Sequence, residues 1–295
     1  MSVAELLGRL IGVFFPIFVI VGVGFWYGRK HKPEMAAANR INMDIFVPAV
    51  VFAAMAGKSF DVQAYVPLAT AAFLLLAICG LLAFGVAHLA GIQAKTMVPP
   101  MMFNNSGNIG LPLAMLAWGE AAMPAAVIMF VVENIFHFTF GARLLDPKAR
   151  VLTLWRMPVV FASFAGLAAA LLKIELWQPA LTAIKMLGDV SIPLMLFSLG
   201  VRMTEVSGKE WQLAVATAFL RPLLGVGLAL GLVQVLGLSG RDAAMLIVFG
   251  ALPPAVLNFM FAERYNQEPQ RVASIVLIGN MAALICLPLA LACVL

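Results

Sequence analysis

Long apolar runs alternate with short polar connections along nearly the whole chain. They fall at about 10–28, 40–57, 64–90, 94–118, 121–142, 157–173, 178–201, 211–237, 243–263 and 272–294. A helix that crosses the hydrocarbon core of a bilayer needs about 20 mostly apolar residues. The pattern therefore predicts ten transmembrane helices and an all-α polytopic membrane protein. A β-barrel would alternate apolar and polar residues, and these runs do not. The longest polar connections, 29–39 and 143–156, leave no room for an extramembrane domain.

Two of the ten runs are interrupted. Residues 99–115 read PPMMFNNSGNIGLPLAM, and residues 250–254 read GALPP. Proline has no N–H and clashes with the preceding helical turn, and glycine weakens a helix further. Spans 4 and 9 are therefore expected to be pairs of half-helices joined by non-helical links. Such a link survives at membrane depth only where it is buried in protein or lines a wet cavity. Half-helix N-termini suit an anion, and asparagine amides add donors and acceptors without a desolvated charge. The candidate substrate-binding residues are Asn104, Asn105, Ser106, Asn108, Pro112, Pro253, Pro254 and Asn258. The bland alternative is a kinked helix whose asparagines bond to neighbouring spans.

The two halves of the chain echo each other. RINMDIFVPAVVF in span 2 and KMLGDVSIPLMLF in span 7 share a basic-x3-Asp-x3-Pro-x3-Phe pattern: Arg40, Asp44, Pro48 and Phe52 against Lys185, Asp189, Pro193 and Phe197. Asn134 in span 5 matches Asn280 in span 10, and interrupted spans 4 and 9 lie about one repeat apart. Five is odd, so two five-span halves enter the membrane in opposite directions. The expected organisation is a first repeat at 1–142, a cytoplasmic connection at 143–156 and a second, inverted repeat at 157–295. Paired interrupted helices at matching positions of inverted repeats point to the binding site of a secondary transporter.

Charge sets the direction. With the N-terminus outside, the inner loops hold Arg29, Lys30, Lys32, Arg40, Lys95, Arg143, Lys148, Arg150, Arg156, Arg202, Lys209, Arg264 and Arg271. The outer side then holds only Arg9, Lys58, Lys173 and Arg241. Short Lys/Arg-rich loops stay in the cytoplasm, so both termini are expected outside. Only 11% of residues are charged and 63% are hydrophobic, which rules out an ordinary soluble domain. The net charge of +5 is spread over loops with no aromatic-basic patch, so it is not a nucleic-acid signal. Cys79, Cys286 and Cys293 all fall in predicted spans and read as packing residues. No cleavable signal peptide is evident in the first run.

Ionisable residues inside a membrane span are functional candidates. Glu133 and His137 lie at i, i+4 in span 5, with Asn134 between them, and read either as a proton relay or as a fixed hydrogen-bonded pair. Lys185 and Asp189 have the same spacing, as do Arg40 and Asp44, and each pair reads as an intrahelical ion pair. Arg221, before Pro222 in span 8, is a buried cation in need of a partner, with another span's acid favoured over a substrate carboxylate.

At these residues the sequence resembles the auxin efflux carrier family, which includes the plant PIN carriers and many bacterial members. The span-4 pattern is Asn105 followed five residues later by Gly110-Leu111-Pro112-Leu113. The span-9 pattern is ALPPAVLNFMFAERYNQEP at 251–269. The resemblance implies the fold shared with the bile-acid sodium symporters, in which spans 4 and 9 cross at the substrate site, and an elevator-type motion of a transport domain against a scaffold. It implies organic anions as substrates, such as malonate, malate or auxin, no cofactor, and a homodimer. It carries the substrate role to Asn105 first. The chain departs from plant members in its short central connection and in Val159 after Met157-Pro158, which favours a small carboxylate over auxin.

The expected function is a secondary transporter of small organic anions in a bacterial inner membrane. A sodium-coupled symporter and a channel are the alternatives. Span 9 carries no acid before Glu263, which makes protons the better-supported coupling ion. An intramembrane enzyme is disfavoured: the chain has no Gly-x-Ser-x-Gly elbow with a partner histidine and no His-Glu-x-x-His metal motif.

Overall fold

The computed structural model describes residues 2–56, 62–149, 157–205 and 211–295. Arg150, Arg156, Lys58 and Lys209, which bear on the charge bias, lie outside the described residues, as does the end of the predicted 143–156 connection.

The described chain is helical apart from its turns and links. The helices are α1 (Val3–His31), α2 (Ala36–Ile41), α3 (Val47–Met55), α4 (Val62–Leu89), α5 (Ala94–Met102), α6 (Leu111–Trp118), α7 (Met123–Phe136) and α8 (Ala142–Leu145). They continue with α9 (Pro158–Leu171), α10 (Gln178–Arg202), α11 (Trp211–Val235), α12 (Gly240–Ala251), α13 (Val256–Arg264) and α14 (Pro269–Ala292). Wider π-helical turns at Asn42–Phe46 and His137–Gly141 splice α2 to α3 and α7 to α8, so each pair acts as one continuous rod. Seven rods are long and apolar enough to cross a membrane: Val3–His31, Ala36–Met55, Gln63–Leu89, Glu120–Leu145, Gln178–Arg202, Trp211–Val235 and Pro269–Ala292. Of the other predicted spans, 157–173 contains the shorter α9, while 94–118 and 243–263 are each split in two.

Local chemistry sets the ends. Ser2 and Glu5 form a reciprocal capping box at the start of α1, and Arg29, Lys30 and His31 fill its last turn, where the helix dipole favours cations. Prolines sit in the first turn of α7, α9, α10 and α14, where a missing N–H costs little.

The helices pack in two groups. In one, α1 packs on α10, α10 on α3 and α3 on α9; in the other, α4, α5, α7 and α11 to α14 pack on one another. Lipid is as apolar as leucine, so close packing rather than the hydrophobic effect holds such helices together. Glycines supply the close approach. A methyl group on Gly24 would run into the Phe197 carbonyl, and one on Gly200 into the Val21 carbonyl, so α1 and α10 meet backbone to backbone. Gly188 and Gly166 do the same for α10 and α9 against α3. Large apolar side chains such as Phe161, Leu223 and Val235 face outward, as a lipid-facing surface requires.

Gly24→Val should therefore lower the thermal unfolding temperature in detergent, reflecting an overpacking cost of about 1–3 kcal/mol. Gly22→Val, two residues away with nothing within 4 Å of the added carbon, should leave it nearly unchanged.

Candidate functional site

Two non-helical links meet at the centre of the second group. The first follows α5: Phe103 is extended, Asn104 and Asn105 are non-helical, and a π-helical turn at Ser106–Gly110 leads into α6. The second follows α12, where Leu252 and Ala255 are extended around Pro253 and Pro254. A residue before proline is driven to extended backbone, and the two successive prolines stop α12 outright. Pro112 plays another part than expected: it lies in the first turn of α6, beyond the link.

The links pair as a short antiparallel ladder at Asn104 and Pro254. The Asn105 N–H donates to the Pro253 carbonyl at 2.7 Å, and the Ala255 N–H donates to the Phe103 carbonyl at 3.0 Å. Each half-helix that ends at the ladder is capped by an asparagine of the other segment. Asn104 Nδ2 donates to the Phe249 carbonyl at 3.0 Å, and Asn258 Nδ2 donates to the Phe103 carbonyl at 3.1 Å. Asn105 Nδ2 donates to Asn280 Oδ1 at 2.7 Å, and Asn280 Nδ2 donates to the Pro254 and Val276 carbonyls. Asn105 Oδ1 accepts from the Asn108 N–H at 3.2 Å, so Asn108 contributes its backbone and part of the α6 N-terminus is already capped from within. Gly279 lets α14 approach: a methyl group there would lie 2.6 Å from Pro254 Cδ.

The half-helices α5 and α13 share one side of the ladder, where Thr96 Oγ1 donates to Glu268, itself paired with Arg271 at 3.2 Å. On the other side, α6 and α12 enclose a small pocket of about 20 Å³, walled by Ser106, Gly110, Ala114, Trp118, Phe249 and Leu252.

The ionisable residues distribute over these two sides. Ser106 Oγ donates to Glu133 Oε2 at the pocket side. His137, one turn further along, stacks on Phe103 with centroids 4.0 Å apart and meets Phe261 edge-on. Its Nε2 has no hydrogen-bond partner, nor does Asn258 Oδ1 beside it. Glu133 and His137 thus do not bond to each other. Asn134 turns back to the Phe130 carbonyl of its own helix at 2.8 Å. Arg221 is 1% exposed, and its guanidinium donates to the Gly250 carbonyl at 2.6 Å, not to an acid of another span.

The intrahelical ion pairs are corrected. Lys185 and Asp189 are exposed on α10, and Lys185 lies 3.6 Å from Glu120 instead. Arg40 and Asp44 are likewise exposed and form no ion pair among the described residues. With the base N-terminal to the acid, the i, i+4 pair has its weaker orientation, and an exposed pair gains little.

Residues 148–291 match the family described as membrane transport protein. The second half of the chain is thus similar to that family. It is 28% identical over 196 residues to the "Putative malonate transporter" of Rhizobium meliloti (strain 1021), covering 61% of this chain and 60% of that protein. It is 26% identical over 180 residues to auxin efflux carrier component 6 of Arabidopsis thaliana, covering 57% of this chain and 28% of that protein. An uncharacterized transporter of Methanocaldococcus jannaschii aligns over 92% of this chain and 95% of its own length at 19% identity. The first two alignments span less than two thirds of those relatives.

The family match covers α9 to α13 and most of α14, hence the second link but not the first. Asn280 and Arg221 belong to this centre and escape a reading of motifs. Asn280 had one signal, its match to Asn134 across the repeat; Arg221 had its place inside a span. Replacing Asn280 by leucine should orphan Asn105 Nδ2 and one Pro254 bond, each at about 1–3 kcal/mol, and lower the unfolding temperature clearly. Asn134→Leu, which removes only a bond within one helix, should cost much less in the same melt.

Proposed function

We propose that this chain belongs to the membrane transport protein family and is a secondary carrier of small organic carboxylates, with the substrate held where the two links cross. The observation that carries this reading is the two-bond ladder between Phe103–Asn105 and Pro253–Ala255. Bare backbone at membrane depth is tolerated where it is buried or lines a cavity, and transporters place their substrates at such breaks. The printed name of the Rhizobium relative suggests malonate, and the compact chain suits a small dicarboxylate.

In this reading the chain is two inverted five-helix repeats, 1–142 and 157–295, each giving helices to both packing groups. The group of α4, α5, α7 and α11 to α14 carries the crossover and slides as an elevator against the group around α10. Both termini face outward from a bacterial inner membrane, in line with the basic inner loops. A second reading has support of its own: Asn104 Oδ1 and Asn258 Oδ1 are buried oxygens without partners, and such oxygens suit sodium.

Thermal unfolding of the purified protein tests both. A ligand at 100 times its Kd stabilises the folded state by about 2.7 kcal/mol. Malonate or malate should raise the unfolding temperature of the wild type, acetate and indole-3-acetate should raise it less, and Asn105→Ala should abolish the shift. A shift seen only with sodium favours the second reading. No shift with any carboxylate contradicts the substrate class.

A further inference from the structure

The buried polar atoms without partners sort by sign. Asn42, Asn104 and Asn258 each leave an amide oxygen unmet, which is an acceptor. Among the described residues, the unmet atom that can only donate is Arg221 Nε. An anion needs donors. Asn280 has spent both amide N–H groups, on the Pro254 and Val276 carbonyls, while Asn104, Asn105 and Asn258 each donate one to Phe249, Asn280 and Phe103, and none of these amides carries a charge. A carboxylate entering this centre therefore finds its counter-charge in Arg221.

The wall of the pocket between α6 and α12 includes a residue that holds an acid and one that adjoins the partner of a base. Ser106, in its wall, holds Glu133; Phe249, also in its wall, precedes Gly250, whose carbonyl holds Arg221. Glu133 and Arg221 are 2% and 1% exposed and lie within electrostatic reach of each other, yet they form no ion pair. Arg221 also faces Cys79 of α4. His137, at the start of the turn that follows α7, is the other ionisable group near Glu133 on that rod. Of the elements packed on α7, α4 also carries Tyr65 and His88 near its two ends, the turn at Glu120–Ala122 carries Glu120, α3 and α6 carry no ionisable residue, and α12 carries only Arg241 and Asp242 at its far end.

We propose that Glu133 and Arg221 are a proton-exchangeable counter-charge pair, so that each anion bound at the crossover is accompanied by one proton taken up on Glu133. This rests on the carboxylate-carrier reading and adds its coupling. The proton offsets one of the entering negative charges. Without substrate, the Glu133 carboxylate offsets the guanidinium. When a carboxylate enters, the Glu133 carboxylate takes up one proton from the bulk solution and stays hydrogen-bonded to Ser106. Arg221 is then neutralised by the substrate. The empty site carries no net charge, and the proton on Glu133 lowers the negative charge of the loaded site by one, which a desolvated site favours. His137, on the far side of the ladder and stacked on Phe103, takes no part.

The test is malonate affinity of the purified protein from pH 6.5 to 9.5, by calorimetry. Wild-type Kd should rise about tenfold per pH unit once empty Glu133 is ionised. Glu133→Gln should bind malonate with a flat profile, and His137→Gln should keep the wild-type slope. Arg221→Met should lose binding, while Arg221→Lys should retain it and its slope at reduced affinity. The lysine variant and Glu133→Gln decide the matter if the methionine variant does not fold. A flat wild-type profile, or an unchanged slope in Glu133→Gln, overturns the pair while leaving the carboxylate carrier standing. Failure of any carboxylate to bind the wild type at every pH overturns both.

Discussion

Two backbone hydrogen bonds between interrupted helices, Asn105 to Pro253 and Ala255 to Phe103, are the constraint on which the rest of this centre depends. A bilayer offers no water to satisfy a broken helix, so each exposed N–H and carbonyl must find a partner in the protein. The links solve this by pairing with each other. That pairing fixes where α5, α6, α12 and α13 leave the ladder. It also explains the glycines around it: Gly225 and Gly250 bring α11 and α12 into backbone contact, and Gly279 admits α14 against Pro254. A side chain at any of them would push a neighbouring helix away from the links.

The same pairing divides the polar groups. One side of the ladder holds His137, Asn258 and an aromatic cluster of Phe103, Phe138 and Phe261. The other holds Ser106, Glu133, the Gly250 carbonyl and Arg221. Four residues along α7 carry the chain about one turn, or roughly 6 Å, which is enough to place Glu133 and His137 on different sides. A relay through both would have to cross the ladder. The guanidinium at the Gly250 carbonyl also sits at the C-terminal end of a half-helix, where the dipole favours a cation.

Much of this was legible in the chain. Apolar runs located the rods, and Pro253-Pro254 with the Asn104–Gly110 cluster located both breaks, because proline and glycine act locally. The π-helical turns at 42–46 and 137–141 were not legible; they lengthen two rods without any breaker at their start. Spacing misled where partners are tertiary. Lys185 and Asp189 have the spacing of a pair, but Lys185 reaches Glu120 from another part of the fold. Arg221 was visible as a buried charge, yet its partner is a backbone carbonyl 29 residues away, which no side-chain pattern marks. Asn280 was visible only as a repeat match, and its two bonds to the crossover needed the fold.

The central claim is that substrate is held at the crossing of the two links. Hydrogen exchange of the purified protein with and without malonate, resolved by peptide, tests it most directly. Protection gained in peptides covering 103–110 and 250–258 together is the predicted result. Protection confined to other helices, with these two segments unchanged at saturating malonate, would contradict it.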